Sequence, residues 1–139
     1  MTNKKNWLGI LVLVLVFGMV VVGCGNKDGA TTLTENKWAI GSITDDVDAV
    51  IYSFSISSGK KYNIWVNDSD GDGSYSADVR INGYHSDGSE LFRIVDDNWD
   101  QPESFTATSS GKITIRVEPY YSTDLGTFAI VYSTNNNRP

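Results

Sequence analysis

Val50-Ile51-Tyr52-Ser53-Phe54-Ser55-Ile56-Ser57-Ser58-Gly59-Lys60-Lys61-Tyr62-Asn63-Ile64-Trp65-Val66 holds the pattern that decides the fold. Val50, Tyr52, Phe54 and Ile56 alternate with Ile51, Ser53 and Ser55. After the turn, Tyr62, Ile64 and Val66 alternate with Asn63, Trp65 and Asn67. Side chains of a strand point alternately to its two faces, so this period of two describes strands with one face in a core. The same rule continues at Val79 and Ile81, at Phe105 and Ala107, at Ile113, Ile115 and Val117, and at Phe128, Ile130 and Tyr132. Turn-forming residues separate the runs: Thr44-Asp45-Asp46, Ser58-Gly59, Asp70-Gly71-Asp72-Gly73, Asp87-Gly88, Ser110-Gly111 and Asp124-Leu125-Gly126. No stretch of helical length shows a 3.6-residue period. The expectation is all-β: an antiparallel jelly-roll-like β-sandwich of about eight strands. Ser53–Lys60 with its following strand resembles Ser104–Lys112 with its own. Each reads as a hairpin closed by a Ser-Gly-Lys turn.

Outward from this domain the composition changes. Lys4 and Lys5 precede the apolar run Trp7–Val22, which ends at Gly23-Cys24. A basic start, an apolar middle and a small residue before the cut make a secretory signal peptide. The run falls short of the roughly 20 residues of a comfortable membrane span. Val21-Val22-Gly23-Cys24 resembles the lipobox of bacterial lipoproteins, which implies fatty acylation of Cys24 after cleavage before it. The alternative is an uncleaved single-pass anchor, and both readings put the rest of the chain across a membrane. Cys24 is the sole cysteine, so acylation leaves neither a disulfide nor a free thiol. The expected organisation is a signal peptide at 1–23, a lipidated flexible tether at 24–36, a β-sandwich at 37–134 and a disordered tail at 135–139. The lipid bilayer is then the first partner, at the bacterial cell envelope.

The chain carries 11 Lys and Arg against 17 Asp and Glu, a formal charge of −6. Loss of the leader removes two lysines and no acid, so the mature chain is more acidic still. That balance disfavours nucleic acid and is compatible with divalent cations and neutral polymers.

Asp48-Ala49-Val50-Ile51-Tyr52-Ser53-Phe54 with Gly59-Lys60-Lys61-Tyr62 resembles the opening of bacterial pre-peptidase C-terminal (PPC-type) domains. Asp78-Val79-Arg80-Ile81 is similar to their middle strand and Asp87-Gly88 to the turn after it. Ser110–Val117 and Gly126–Ile130 are similar to their last two strands. The likeness spans about residues 38–134. It implies a jelly-roll-like sandwich without catalysis of its own, of a kind that trails secreted hydrolases and is linked to substrate binding, secretion or solubility. Here a lipid anchor stands where a hydrolase would.

Three groups of residues are candidates for chemistry. Asp68-Ser69-Asp70-Gly71-Asp72-Gly73-Ser74 spaces carboxylates as the first half of an EF-hand does. Position twelve of that frame is Val79, not glutamate, and Asp78 falls one place early. Calcium on Asp68, Asp70, Asp72 and Asp78 is one reading; an acidic solvated turn is the other. Asp45-Asp46-Asp48 and Asp96-Asp97-Asp100 read as charged loops able to add ligands. The aromatics Trp65, Tyr84, Trp99, Tyr120 and Tyr121 are candidates for a sugar- or protein-binding surface, Trp65 from the polar side of its strand and the rest, like Tyr75, from loops. Trp38 is expected to pack at the first strand. His85 is the only histidine, no nucleophile elbow accompanies it, and one His with an acylated Cys cannot complete a zinc site. The expected function is a non-catalytic binding or structural module whose partner is a polysaccharide or an envelope protein. A calcium-dependent adhesin-like module is the first alternative and a small envelope hydrolase the second.

Overall fold

The computed structural model describes residues 29–94 and 99–139. The leader, Cys24 and the first part of the tether lie outside them, as do Asp96 and Asp97. Nine strands form among the described residues: β1 Thr31–Thr32, β2 Ala39–Ile43, β3 Val50–Ile56, β4 Lys61–Asn67, β5 Val79–Tyr84, β6 Glu90–Ile94, β7 Glu103–Thr106, β8 Gly111–Pro119 and β9 Gly126–Ser133. They build a five-stranded sheet in the order β1-β3-β8-β5-β6 and a four-stranded sheet in the order β2-β9-β4-β7. All pairings are antiparallel except the short β1–β3 contact. This is the β-sandwich that the alternation predicts.

The inward phase of each strand supplies the core. Tyr52, Phe54, Ile81, Ile113, Ile115 and Val117 from one sheet meet Ile43, Ile64, Phe128 and Ile130 from the other, all nearly inaccessible to water. Full burial of each such side chain contributes about 1.5–3 kcal/mol. Rings fill one end: Phe54 stacks on Tyr132 at 3.9 Å, and Phe105 lies parallel to both Tyr62 and Phe92 at 5.6 Å. Gly41 admits this packing, because a Cβ there would collide with the ring of Phe128 and the hydroxyl of Tyr52.

The two Ser-Gly-Lys turns are not hairpins. β3 and β4 belong to different sheets, and so do β7 and β8, so each turn carries the chain from one layer to the other. The arches lie side by side and bond to each other. Gly59 N donates to Ala107 O at 2.7 Å, Ala107 N to Lys60 O at 3.0 Å, and Ser58 N to Ser110 Oγ at 2.9 Å. Their sequence likeness is the likeness of two neighbouring arches. Consecutive strands pair only at β5–β6, across the Asp87-Gly88 turn, where Gly88 takes φ 85°.

The described residues at both ends of the domain make contacts with the sheets. In the tether, Thr31–Thr32 pair with β3, Leu33 is buried, and Leu33 N donates to Ser53 O at 2.8 Å. At the other end, the tail expected to be disordered turns back over the four-stranded sheet. Asn135 O accepts from Asn63 Nδ2 at 2.6 Å, and Asn136 Oδ1 from Lys61 Nζ at 3.3 Å. Trp38 Nε1 donates to Pro139 O at 2.9 Å. Backbone donors and acceptors of a polar tail are satisfied by such partners as well as by water.

Candidate binding face

The outward phase of the five-stranded sheet carries a polar groove. β5 turns Arg80 and Asn82 outward, β8 turns Arg116 and Glu118, and β6 turns Arg93. Asn82 pairs in register with Arg93 on one side and Arg116 on the other, and Arg80 pairs with Glu118 in the next row. A buried asparagine thus stands in register between two arginines. Glu118 is shared: Arg80 Nε donates to its Oε2 at 3.3 Å and Arg116 Nε to its Oε1 at 2.7 Å. Arg93 Nη2 bonds Glu90 at 2.8 Å. These pairs are solvent-exposed and add little stability. They do fix the guanidiniums in place.

Tyr120 and Tyr121 close one side. The turn after β8 is pinned by Tyr120 N to Asp78 O at 2.9 Å, Tyr121 N to Asp124 Oδ2 at 2.7 Å, and Asp124 N to Tyr121 O at 2.9 Å. The two rings meet edge to face, with centroids 4.7 Å apart. Tyr121 is the exposed large aromatic of the domain, 64% accessible. Arg80, Asn82, Arg93, Glu118, Tyr120 and Tyr121 line a groove of about 510 Å³. Asn82 is only 7% exposed, and its Oδ1 is a buried acceptor without a donor.

Tyr120 and Tyr121 are therefore brought together at this face. Tyr84 stands two residues further along β5 than Asn82, opposite Thr114, on the same strand but outside the groove lining. Trp99 and Trp65 belong to the opposite side of the molecule. Trp65 does point away from the core, as its parity predicts, yet it is 3% exposed and so is not a surface aromatic. Its row explains this. The β2–β9 register extended by one residue sets Trp38 opposite Val131, which pairs with Trp65. Above this row the tail brings Arg138, whose guanidinium carbon lies 5.0 Å from the Trp38 ring and 4.8 Å from that of Trp99. Guanidinium over indole is an attractive cation–π contact.

The four candidate calcium ligands are not assembled into a site. Asp68 is fully buried, and its carboxylate is used by the chain: Oδ1 accepts from Asp70 N at 3.0 Å and Oδ2 from Val79 N at 3.1 Å. It ties together the ends of the loop that carries the chain from β4 to β5. Burial pushes its carboxyl above the ordinary value, against the two amide bonds. Asp72 is exposed, and the hydroxyl and amide of Ser74 hold its carboxyl below the ordinary value. Gly71 is required because a Cβ would strike the Asn67 carboxamide, which accepts from Asp72 N at 3.4 Å. Among the described residues no three acidic, His or Cys side chains are grouped to hold a metal ion. The spacing that resembled a cation loop serves loop closure.

His85 lies at a separate depression of about 270 Å³, beside Asp87, Ser89 and Lys112. There Ser89 Oγ donates directly to Asp87 Oδ1 at 2.6 Å, so the histidine is not the link between hydroxyl and carboxylate that a triad needs.

Sequence reasoning missed Arg80, Asn82, Arg93, Arg116 and Glu118. The signal was the polar phase of the strands whose apolar phase named the core. Only the register shows that residues 82, 93 and 116 share a row.

No protein-family model matches the sequence, and no curated protein matches it. Solved structures do. The chain is similar to the pre-peptidase C-terminal domain of a collagenase from Bacillus anthracis, with a TM-score of 0.62 and 18% identity, over 78% of this chain and 99% of that one. It is also similar to PliG of Aeromonas hydrophila, a periplasmic inhibitor of g-type lysozyme, with a TM-score of 0.51 and 15% identity, over 76% and 99% of the two chains. The fold is a PPC-like β-sandwich.

Proposed function

We propose that this chain is an exported, lipid-anchored β-sandwich without chemistry of its own, which binds a polysaccharide of the bacterial envelope through the groove on its five-stranded sheet. The observation that carries this reading is the groove itself: an edge-to-face tyrosine pair beside a row of fixed arginines and a buried, unpartnered carboxamide oxygen. Aromatic rings offer an apolar face to a sugar ring, and fixed hydrogen-bonding groups beside them set its orientation. Two further points support the reading. One neighbour in fold is described as a periplasmic inhibitor and the other as a domain of a collagenase. The leader and Cys24 supply the export and the anchor.

Calcium has no part in this reading, since the best candidate ligand is occupied by backbone amides. Binding of the mature chain to an array of envelope glycans tests it. A hit that falls at least about tenfold on Tyr121→Ala supports it, because aromatic anchors dominate such sites. An array that stays blank, or binding indifferent to that substitution, overturns it. Mass spectrometry of the native amino terminus tests the anchor: a free Cys24 thiol or an intact Met1 rules it out.

A further inference from the structure

We infer that the groove on the five-stranded sheet is selective for an anionic saccharide, a pyranose chain carrying carboxylates, despite the acidity of the protein as a whole. The inference rests on the polysaccharide reading above and names the chemical class of its ligand.

Net charge describes the whole molecule, while a ligand meets only local charge. Three of the four arginines of the chain stand on this one face, at positions 80, 93 and 116. Arg93 is paired with Glu90, and Arg80 and Arg116 share Glu118. Asp124, at the lip, is turned to the amide of Tyr121. A guanidinium has five N–H donors in a planar fork that suits a carboxylate. Each of these three bonds its carboxylate through one nitrogen, two of them through Nε, so most of each fork's five donors are not spent on Glu90 or Glu118.

Asn82 adds the opposite demand. Asn82 stands in register between Arg93 and Arg116, and its Oδ1 is buried without a donor. A buried acceptor without a partner is unfavourable, and a ligand hydroxyl supplies what is missing. The groove thus asks for a ligand that gives a hydroxyl at its floor and accepts charge-assisted bonds from Arg80 and Arg93 beside that floor. It also asks for an apolar ring face against Tyr120 and Tyr121. A uronic acid unit has all three within one ring. A neutral sugar lacks the charge, and a bare anion lacks the ring and the hydroxyl. The 510 Å³ of the groove accommodates one to two such rings.

Calorimetric titration of the mature acylated chain in detergent decides the matter, with three probes: hexagalacturonate, its carboxyl-reduced counterpart and inorganic phosphate. The expected result is saturable binding of hexagalacturonate that weakens at least about tenfold on carboxyl reduction and again on Arg93→Ala, as loss of a charge-assisted bond implies. Asn82→Asp, which sets a carboxylate between the two arginines, is expected to abolish acid selectivity while the melting temperature confirms a folded protein. Equal affinity for the reduced saccharide overturns the anionic selectivity and leaves the polysaccharide reading standing. Phosphate competing as well as hexagalacturonate overturns the inference by reducing the site to a bare anion hole. Binding of neither saccharide removes both.

Discussion

On the four-stranded sheet the outward positions carry Asn63, Trp65, Ala129 and Val131, and all four are buried. On the five-stranded sheet they carry Arg80, Asn82, Arg93 and Arg116, and the arginines stand in water. Trp65, Ala129 and Val131 are buried without belonging to the core between the sheets. The difference comes from the five tail residues and from two tryptophans that hold them. The tail 135–139 returns over one face, and Trp38 and Trp99, each just before an edge strand, hold its Arg138. On the other face Ser53 is buried, while Arg80 and Arg93 are exposed. Both faces hold buried polar atoms without partners, Ser53 Oγ on the five-stranded sheet among them. Trp65 Nε1 and Arg138 Nε are buried donors without acceptors on the closed side, and Asn82 Oδ1 is a buried acceptor opening onto a groove on the other. One face buries its aromatic, and the other leaves Tyr121 exposed.

The most direct way to break this comparison is Trp65→Ala. If Trp65 is buried under the tail, the substitution costs about 3–5 kcal/mol, the range for deleting a buried large aromatic. Chemical denaturation measures it. A change under about 1 kcal/mol would show an exposed indole and restore the parity reading of that residue as a surface aromatic.

Tyr52 gives a pH handle on the core that separates the two faces. Its hydroxyl is buried without a partner, and burial pushes it up to about 12. In the unfolded chain it titrates near 10. The folded state therefore holds the proton more tightly, so the contribution is complete below pH 10 and is lost as pH rises towards 12. The loss amounts to about 2–3 kcal/mol by pH 12. Tyr52→Phe should remove this slope and leave stability at pH 7 unchanged or higher, since no hydrogen bond is lost. Melting curves from pH 8 to 12 for the two proteins test it.

Asp68→Asn asks what the acidic loop is for. A carboxamide can accept from one of the two amides but presents an N–H to the other, Asp70 N or Val79 N. One buried donor is left facing a donor, at a cost of about 1–3 kcal/mol. Calcium should then shift the melting of neither protein. A calcium-dependent shift in the parent that disappears in the variant would return the loop to a metal role.

The strand pattern was legible because the inward phase needs no knowledge of partners: Tyr52, Phe54 and Ile56 announce their face from neighbours two residues away. The arches at Ser58-Gly59 and Ser110-Gly111 were misjudged because a turn sequence specifies a reversal, not whether the next strand joins the same sheet. Trp65 was assigned to its correct side and the wrong environment, since its cover comes from residues some seventy positions later whose asparagines look like a loose end. The tyrosine pair was legible as loop aromatics. The arginine row was not, because residues 82, 93 and 116 meet only through pairings distant in sequence. The EF-hand-like spacing is ambiguous for a chemical reason: a carboxylate bonds backbone amides in a tight loop as readily as a cation.

Arg138→Ala sharpens the comparison from the tail's side. Loss of a guanidinium seated between two indoles costs about 0.5–2 kcal/mol, depending on how far the contact is desolvated. Its signature is optical, because Trp38 and Trp99 flank the residue. Tryptophan emission should shift to the red in native buffer, with no change in far-ultraviolet circular dichroism. Emission identical to the parent would mean that the tail does not sit on the indoles in solution.

The smallest expected effect on stability is the one that gives the open face its meaning. Tyr121 is accessible, its backbone is bonded within its turn, and its ring meets that of Tyr120 edge to face. Tyr121→Ala should change stability by no more than about 0.5 kcal/mol, as substitutions away from buried features do. A residue so cheap to remove is not there for the fold. The same variant is the one predicted to lose glycan binding, so a single protein separates the two roles. Destabilisation comparable to that of Trp65→Ala would place Tyr121 among the structural aromatics and leave the groove without its anchor.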